Sequence, residues 1–198
     1  MVKSRKTAPA KEQEIIAAAA SLFKKKGYRA TTLEDIAAAV GMLKGSLYYY
    51  IRSKEELLYL VVRDPIRQAY NKLEEIVNSD APVTDKITQA ITNHIAVFVQ
   101  HYPHIAVYLH DFHNMMEKLQ DNSIEAPKEY QQLLAQLLQQ GVDNGELRSD
   151  LDVAVAGYAI LGMCNWMYRW YKPGGHLSAE AIANVFTQLV LEGLQKSV

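Results

Sequence analysis

Apolar residues recur along this chain every three or four positions, and nowhere in a sustained strict alternation. Alternation marks a half-buried strand, whereas a spacing of three to four marks one face of a helix. The pattern predicts an all-α protein. Ile15, Ile16, Ala19, Leu22 and Phe23 make the first stripe, over about residues 10–26. Lys24, Lys25 and Lys26 fill its last turn, and Gly27 is placed for a left-handed cap. Thr31 or Thr32 caps a second helix, Glu34 or Asp35 completes a capping box, and Gly41 ends it. A short third helix follows over about 43–50, with Leu43, Leu47 and Ile51 on its inward face. Ser53 caps a long fourth helix, Glu56 takes the box position, and Pro65 predicts a kink or break near Asp64. Later helices are predicted at about 83–100, 103–118, 126–143, 151–171 and 178–196. Pro103, Asp121-Asn122-Ser123, Gly145 and Pro173-Gly174-Gly175 punctuate them. Residues 1–9, lysine-rich and carrying Pro9, read as disordered.

Composition changes this picture in two ways. With 198 residues, 49% of them apolar, the chain can bury a sizeable core, as one large domain or a small one joined to a larger. Its single cysteine, Cys164, allows no internal disulfide and fits a reducing cytosol. The basic start is followed by no long apolar run, so neither a signal peptide nor a membrane span is expected. The net charge of −1 conceals an asymmetry: residues 1–63 hold 12 Lys and Arg against 6 Asp and Glu, and the remainder holds 9 against 16. A basic head on an acidic body fits a DNA-contacting unit carried by a part that avoids DNA.

The two short helices around Gly41 have the layout of a helix-turn-helix, whose second helix enters a DNA major groove. Once the inward face is assigned, Lys44, Gly45, Ser46, Tyr48 and Tyr49 remain outside. Gly45 permits close backbone approach, Ser46 offers a hydroxyl, Lys44 reaches guanine or phosphate, and the tyrosines reach phosphates or thymine methyls. Thr31 and Thr32, before the second helix, and Lys54, opening the fourth, are placed for phosphate contact.

The stretch from Glu12 to about Leu60 resembles the N-terminal domain of the TetR family of bacterial transcriptional repressors. The resemblance rests on Ile16-Ala17-Ala18-Ala19, Leu22-Phe23, Gly27-Tyr28, Thr31-Thr32, Asp35-Ile36-Ala37, Gly41, Lys44-Gly45-Ser46-Leu47-Tyr48-Tyr49-Tyr50 and Ser53-Lys54-Glu55-Glu56-Leu57. Two positions depart from it: Leu43 stands where Ser or Thr is usual, and Ile51 where Phe is usual. The resemblance implies an all-helical homodimer with a DNA-binding domain over 10–56 and a ligand-binding and dimerisation domain over 57–198. It also implies a bacterial cytoplasmic protein on the nucleoid, bound to a palindromic double-stranded operator and governed by a small-molecule effector. The aromatic-rich run Gly162 to Pro173, with Leu177 to Ile182, resembles a subgroup that controls lipid and steroid catabolism and tends to sense acyl-CoA thioesters.

In the body, Ala154, Gly157, Leu161 and Cys164 form a small-residue strip, and Ile182, Val185, Phe186, Leu189, Val190 and Leu194 an apolar face; both suit pairing of two copies. Phe98, Tyr102, Tyr108, Phe112, Met115, Met116, Asn165, Trp166 and Arg169 are candidates for an apolar ligand tunnel with an arginine at its mouth. His101, His104, His110, Asp111 and His113 include metal-compatible spacings, but no supporting ligand pattern follows, and neither metal nor cofactor is expected. No nucleophile–base pair, phosphate loop or paired carboxylates argue for an enzyme. The alternatives to a repressor are a protein-binding adaptor with a degenerate head and, further off, a helical enzyme.

Overall fold

The computed structural model describes residues 8–102, 104–110 and 126–194. These residues form helices and turns, with no strand among them. The helices are α1 (Ala8–Lys26), α2 (Leu33–Ala39), α3 (Lys44–Leu47), α4 (Lys54–Val77) and α5 (Val83–Gln100). Residues 104–110 are helical and are labelled α6. After them come α7 (Ala126–Asp143), α8 (Val153–Asn165), α9 (Met167–Trp170) and α10 (Ala179–Leu194). Residues 1–7, and the parts of the expected 103–118 helix at 103 and 111–118, lie outside the described residues.

Pro65 sits inside α4, which runs from Lys54 to Val77, so of the kink or break expected near Asp64 the break does not occur. A proline removes one backbone donor, and packing on both sides of it outweighs that loss here: Leu57, Leu58, Val62, Ala69 and Leu73 are all buried. The expected helix over 151–171 is instead two, α8 and α9, separated at Trp166. The Arg169 N–H donates to the Trp166 carbonyl three residues back, which tightens the turn there.

Two compact units share the chain. The first takes the described residues up to Asp64 with 104–110; the second takes 65–102 with 126–194. In the first, Ile15, Ala19, Phe23, Ile36, Leu47, Ile51 and Leu57 make the core. His104 donates through Nε2 to the Ala20 carbonyl at 2.8 Å, tying α6 to α1. In the second, α5 packs along α10 and α7, and α7 along α8. Ile87, Ile91, Ile95, Leu134, Leu137, Leu138, Ile160 and Met167 fill the space between. Burial of this many side chains, each worth about 1.5–3 kcal/mol against exposure, is what holds the helices together. Lys86, almost wholly buried, donates to the Val77 carbonyl at 3.0 Å, so its charge enters the interior with a partner. Near the end of α7 the backbone passes so close to Leu147 and Val83 that a side chain at Gly141 would overlap both, with Leu147 Cγ at 2.6 Å from a Cβ.

Candidate nucleic-acid interface

The head is built by its caps. Thr32 closes the start of α2: its hydroxyl accepts from the Asp35 N–H at 3.1 Å, and Asp35 accepts from the Thr32 N–H at 2.9 Å. The Lys26 ammonium, 2.7 Å from Asp35, and these Thr32 bonds hold the Asp35 carboxyl down to about 2. Gly41, at φ 67°, makes the turn into α3 in the left-handed conformation that glycine adopts without strain. The outward residues of α3 and the turn that follows it are Lys44, Gly45, Tyr48 and Tyr49, with Tyr49 88% exposed. Ser46 is half-buried, and a Cβ at Gly45 would meet open space, so a duplex can approach the backbone there. Lys44 pairs with Glu34 across the turn; the pairing raises the lysine pKa and lowers the glutamate's.

Three expectations change. Thr31 is fully buried and donates to the Gly27 carbonyl at 2.8 Å, so it braces the α1–α2 loop from inside and offers nothing to phosphate. Lys54 is likewise turned inward. Its ammonium donates to the carbonyls of Thr31 at 3.0 Å and Tyr28 at 3.1 Å, and lies 4.5 Å from the Tyr28 ring centre. Leu43 points outward, 81% exposed, whereas Leu47 and Ile51 are buried as expected. Leu43 is the N-cap of α3, with extended backbone at φ −77° and ψ 147°, so it lies outside the phase of the helix whose face it was assigned to. Its side chain supplies no capping hydrogen bond. Leu43 is the outward residue that sequence reasoning missed; the missing hydroxyl at a cap position was the available signal.

In the second unit the structure sorts the candidate ligand residues into three places. Phe98 and Tyr102 join Tyr171 in an edge-to-face cluster, with ring centres 5.5–5.8 Å apart. Asn165 enters a half-buried polar chain. His94 lies 3.0 Å from Asn165 Oδ1 through Nε2 and 3.1 Å from the Tyr130 hydroxyl through Nδ1. An amide oxygen only accepts, so Nε2 carries the proton and the Tyr130 hydroxyl donates to Nδ1. Burial pushes the His94 imidazole below its ordinary range. The space beside it, lined by Ile91, Tyr130, Leu134 and Cys164 among others, measures about 10 Å³, room for one water. Trp166 and Arg169 are exposed, the guanidinium 6.0 Å from the indole centre, so they sit on the surface of this unit and not within its core. Tyr108 belongs to the first unit, where it is buried; Phe112, Met115 and Met116 lie outside the described residues, as do Asp111 and His113. Cys164 is sealed in the core, and burial raises its thiol to about 12.

Of the residues expected to pair two copies, Ala154, Val185 and Leu189 are exposed and the rest are wholly or partly covered within the chain. Gly157 and Cys164 are buried, Ile182 is a core residue, and Leu161, Phe186 and Val190 are half-buried. The exposed residues include Ala154, Val155, Tyr158 and Gly162 on α8, Trp166 just after it, and Val185 and Leu189 on α10. Gly157 and Ile182 point inward because that side of their helices packs on α5 and α7. Among the described residues no group of three His, Cys, Asp or Glu side chains could hold a metal ion, and no helix is long and apolar enough to cross a membrane.

A helix-turn-helix with an exposed polar and aromatic second helix, joined to a helical body, defines a DNA-binding regulator. Residues 15–60 match the family described as bacterial regulatory proteins, tetR family, and residues 80–194 match the tetracyclin repressor-like C-terminal domain. The chain belongs to the TetR family and is a transcriptional repressor of that family, not an enzyme. It is 31% identical over 189 residues to the HTH-type transcriptional repressor KstR2 of Mycolicibacterium smegmatis, spanning 94% of this chain and 92% of the relative. The fold is similar to the ketosteroid transcriptional regulator KstR2 of Mycobacterium tuberculosis, with TM-score 0.77, 29% identity and coverage of 100% and 98%. It is also similar to AibR, solved with isovaleryl coenzyme A and operator DNA, with TM-score 0.72, 25% identity and coverage of 90% and 97%.

Proposed function

We propose that this chain is a cytoplasmic homodimeric repressor that reads a palindromic operator through α3 and answers to an acyl-CoA effector. The observation that carries the reading is the outward face of α3, where Lys44, Tyr48 and Tyr49 stand exposed around a glycine that leaves the backbone open. The boundaries proposed for the head and the effector-binding body remain 10–56 and 57–198.

Pairing is supported by the apolar surface that Val155 and Tyr158 on α8 and Val185 and Leu189 on α10 leave in water. A dimer sets two recognition helices about 34–36 Å apart, one turn of duplex, and so favours a two-fold symmetric site. An effector acts by favouring one of two arrangements of the dimer, with coupling typically of about 1–3 kcal/mol. The acyl-CoA class is supported by the ligand in the AibR structure and by the exposed pairing of Arg169 with Trp166, a cation beside a flat ring.

Sedimentation, gel shifts on a duplex selected from random sequence, and titration of isovaleryl-CoA and longer acyl-CoAs test the three parts separately. Lys44→Ala and Tyr48→Ala weaken DNA binding and leave the dimer intact. Leu189→Glu yields monomers. Binding insensitive to salt, or a monomeric wild type, refutes the reading, since phosphate contacts make affinity fall steeply with salt. An acyl-CoA series without effect on DNA affinity refutes the effector class alone.

A further inference from the structure

We infer that Leu43 is a specificity-determining residue that reads a thymine methyl group in each half of the operator. The inference rests on the DNA-reading role proposed above and goes beyond it to a particular base contact.

A single exposed leucine is ordinary on a protein surface. The surroundings of this one make it informative. Leu43 is 81% exposed, directly beside Lys44 and Gly45 on the outward side of the helix-turn-helix, with Tyr48 and Tyr49 completing that surface. Its side chain touches no capping group and carries no donor or acceptor. The residues that open a recognition helix are those that meet base edges in the major groove. There each base pair shows a distinct set of donors and acceptors, and only the A·T pair adds an apolar feature, the thymine C5-methyl. A leucine at this place leaves polar base edges unsatisfied and gains only from that methyl. Lys44, the next residue, is paired with Glu34 across the turn.

The test separates this contact from a structural role. Wild-type protein first selects its duplex from a random-sequence library. Each thymine of the enriched sequence is then replaced in turn by uracil, which removes the methyl and nothing else, and binding is measured for wild type, Leu43→Ala and Leu43→Ser. One thymine per half-site is expected at which uracil weakens wild-type binding about four-fold, the factor that burying one methyl-sized group implies. The same replacement leaves both variants within two-fold. Leu43→Ser restores a capping hydroxyl and therefore raises the melting temperature; a purely structural leucine predicts that this variant binds with unchanged methyl sensitivity. If uracil acts equally on all three proteins, or at no position, the inference is overturned while the repressor assignment stands. If no duplex is enriched at all, both fall together.

Discussion

Replacing Lys54 by methionine keeps the aliphatic stem and removes the ammonium, and it separates two roles for this residue that the sequence alone leaves open. In the structure the ammonium donates to the Thr31 and Tyr28 carbonyls at 3.0 and 3.1 Å and faces the Tyr28 ring at 4.5 Å. A hydrogen bond to a charged group contributes roughly 1.5–3 kcal/mol, and a cation over an exposed ring about 0.5–1 kcal/mol. Lys54 is only half-buried, so water compensates much of the loss, and the net destabilisation expected is about 2 kcal/mol. At about 2–4 °C per kcal/mol for a chain of this length, the melting temperature falls by about 4–8 °C. Far-UV circular dichroism on heating reads that change. Gel shifts over a salt series read the other role, because each lost phosphate contact lowers the logarithmic salt slope by about 0.9. An inward-facing Lys54 predicts a lower melting temperature with the slope unchanged. An unmoved melting temperature together with a slope reduced by about one per head refutes the reasoning and returns Lys54 to the phosphate backbone.

Gly141→Ala introduces a Cβ that overlaps Leu147 and Val83; an overpacking cost of about 1–3 kcal/mol set against a gain of up to ~1 kcal/mol in helix propensity leaves a net loss of up to about 2 kcal/mol, read by urea unfolding. Thr32→Ala removes the capping hydroxyl of α2 and should cost about 1 kcal/mol in the same assay. His94 and His104 are both held below the ordinary histidine value of 6.5, chiefly by burial. The unfolded chain therefore binds the extra protons, so stability is complete above about pH 6.5 and declines as pH falls through that value. Denaturation midpoints between pH 8 and 5 should show this decline, and His94→Gln should flatten it; a midpoint that rises on acidification refutes the burial argument.

Where the chain carries both a period and a cap, the helices are legible from sequence. Thr32 with Asp35, and Ser53 with Glu56, fix the starts of α2 and α4 because both members of each motif lie within one turn. Leu43 escapes because an N-cap has extended backbone, and the three-to-four spacing that places Leu47 and Ile51 does not extend to it. Lys54 escapes because its partners at Tyr28 and Thr31 lie 26 and 23 residues away, a distance at which no local pattern operates. Which residues of α8 face solvent is hard to read for a different reason. Val153 to Cys164 is apolar almost all round, so its periodicity marks a helix but does not say which side meets solvent. His94, which follows Thr92 and Asn93 on α5, gave no sign of the chain it forms with Tyr130 and Asn165, since those partners come from two other helices.

The depth at which Cys164 lies has a practical side. A protein whose sole thiol is out of reach provides a silent background for site-directed spin labelling. A cysteine introduced at Arg52, on the exposed edge of the head, takes the label alone. Pulsed dipolar spectroscopy on such a sample can then test the proposed dimer, which predicts one head-to-head distance, and the proposed effector, which predicts that acyl-CoA shifts it, with the native cysteine left in place.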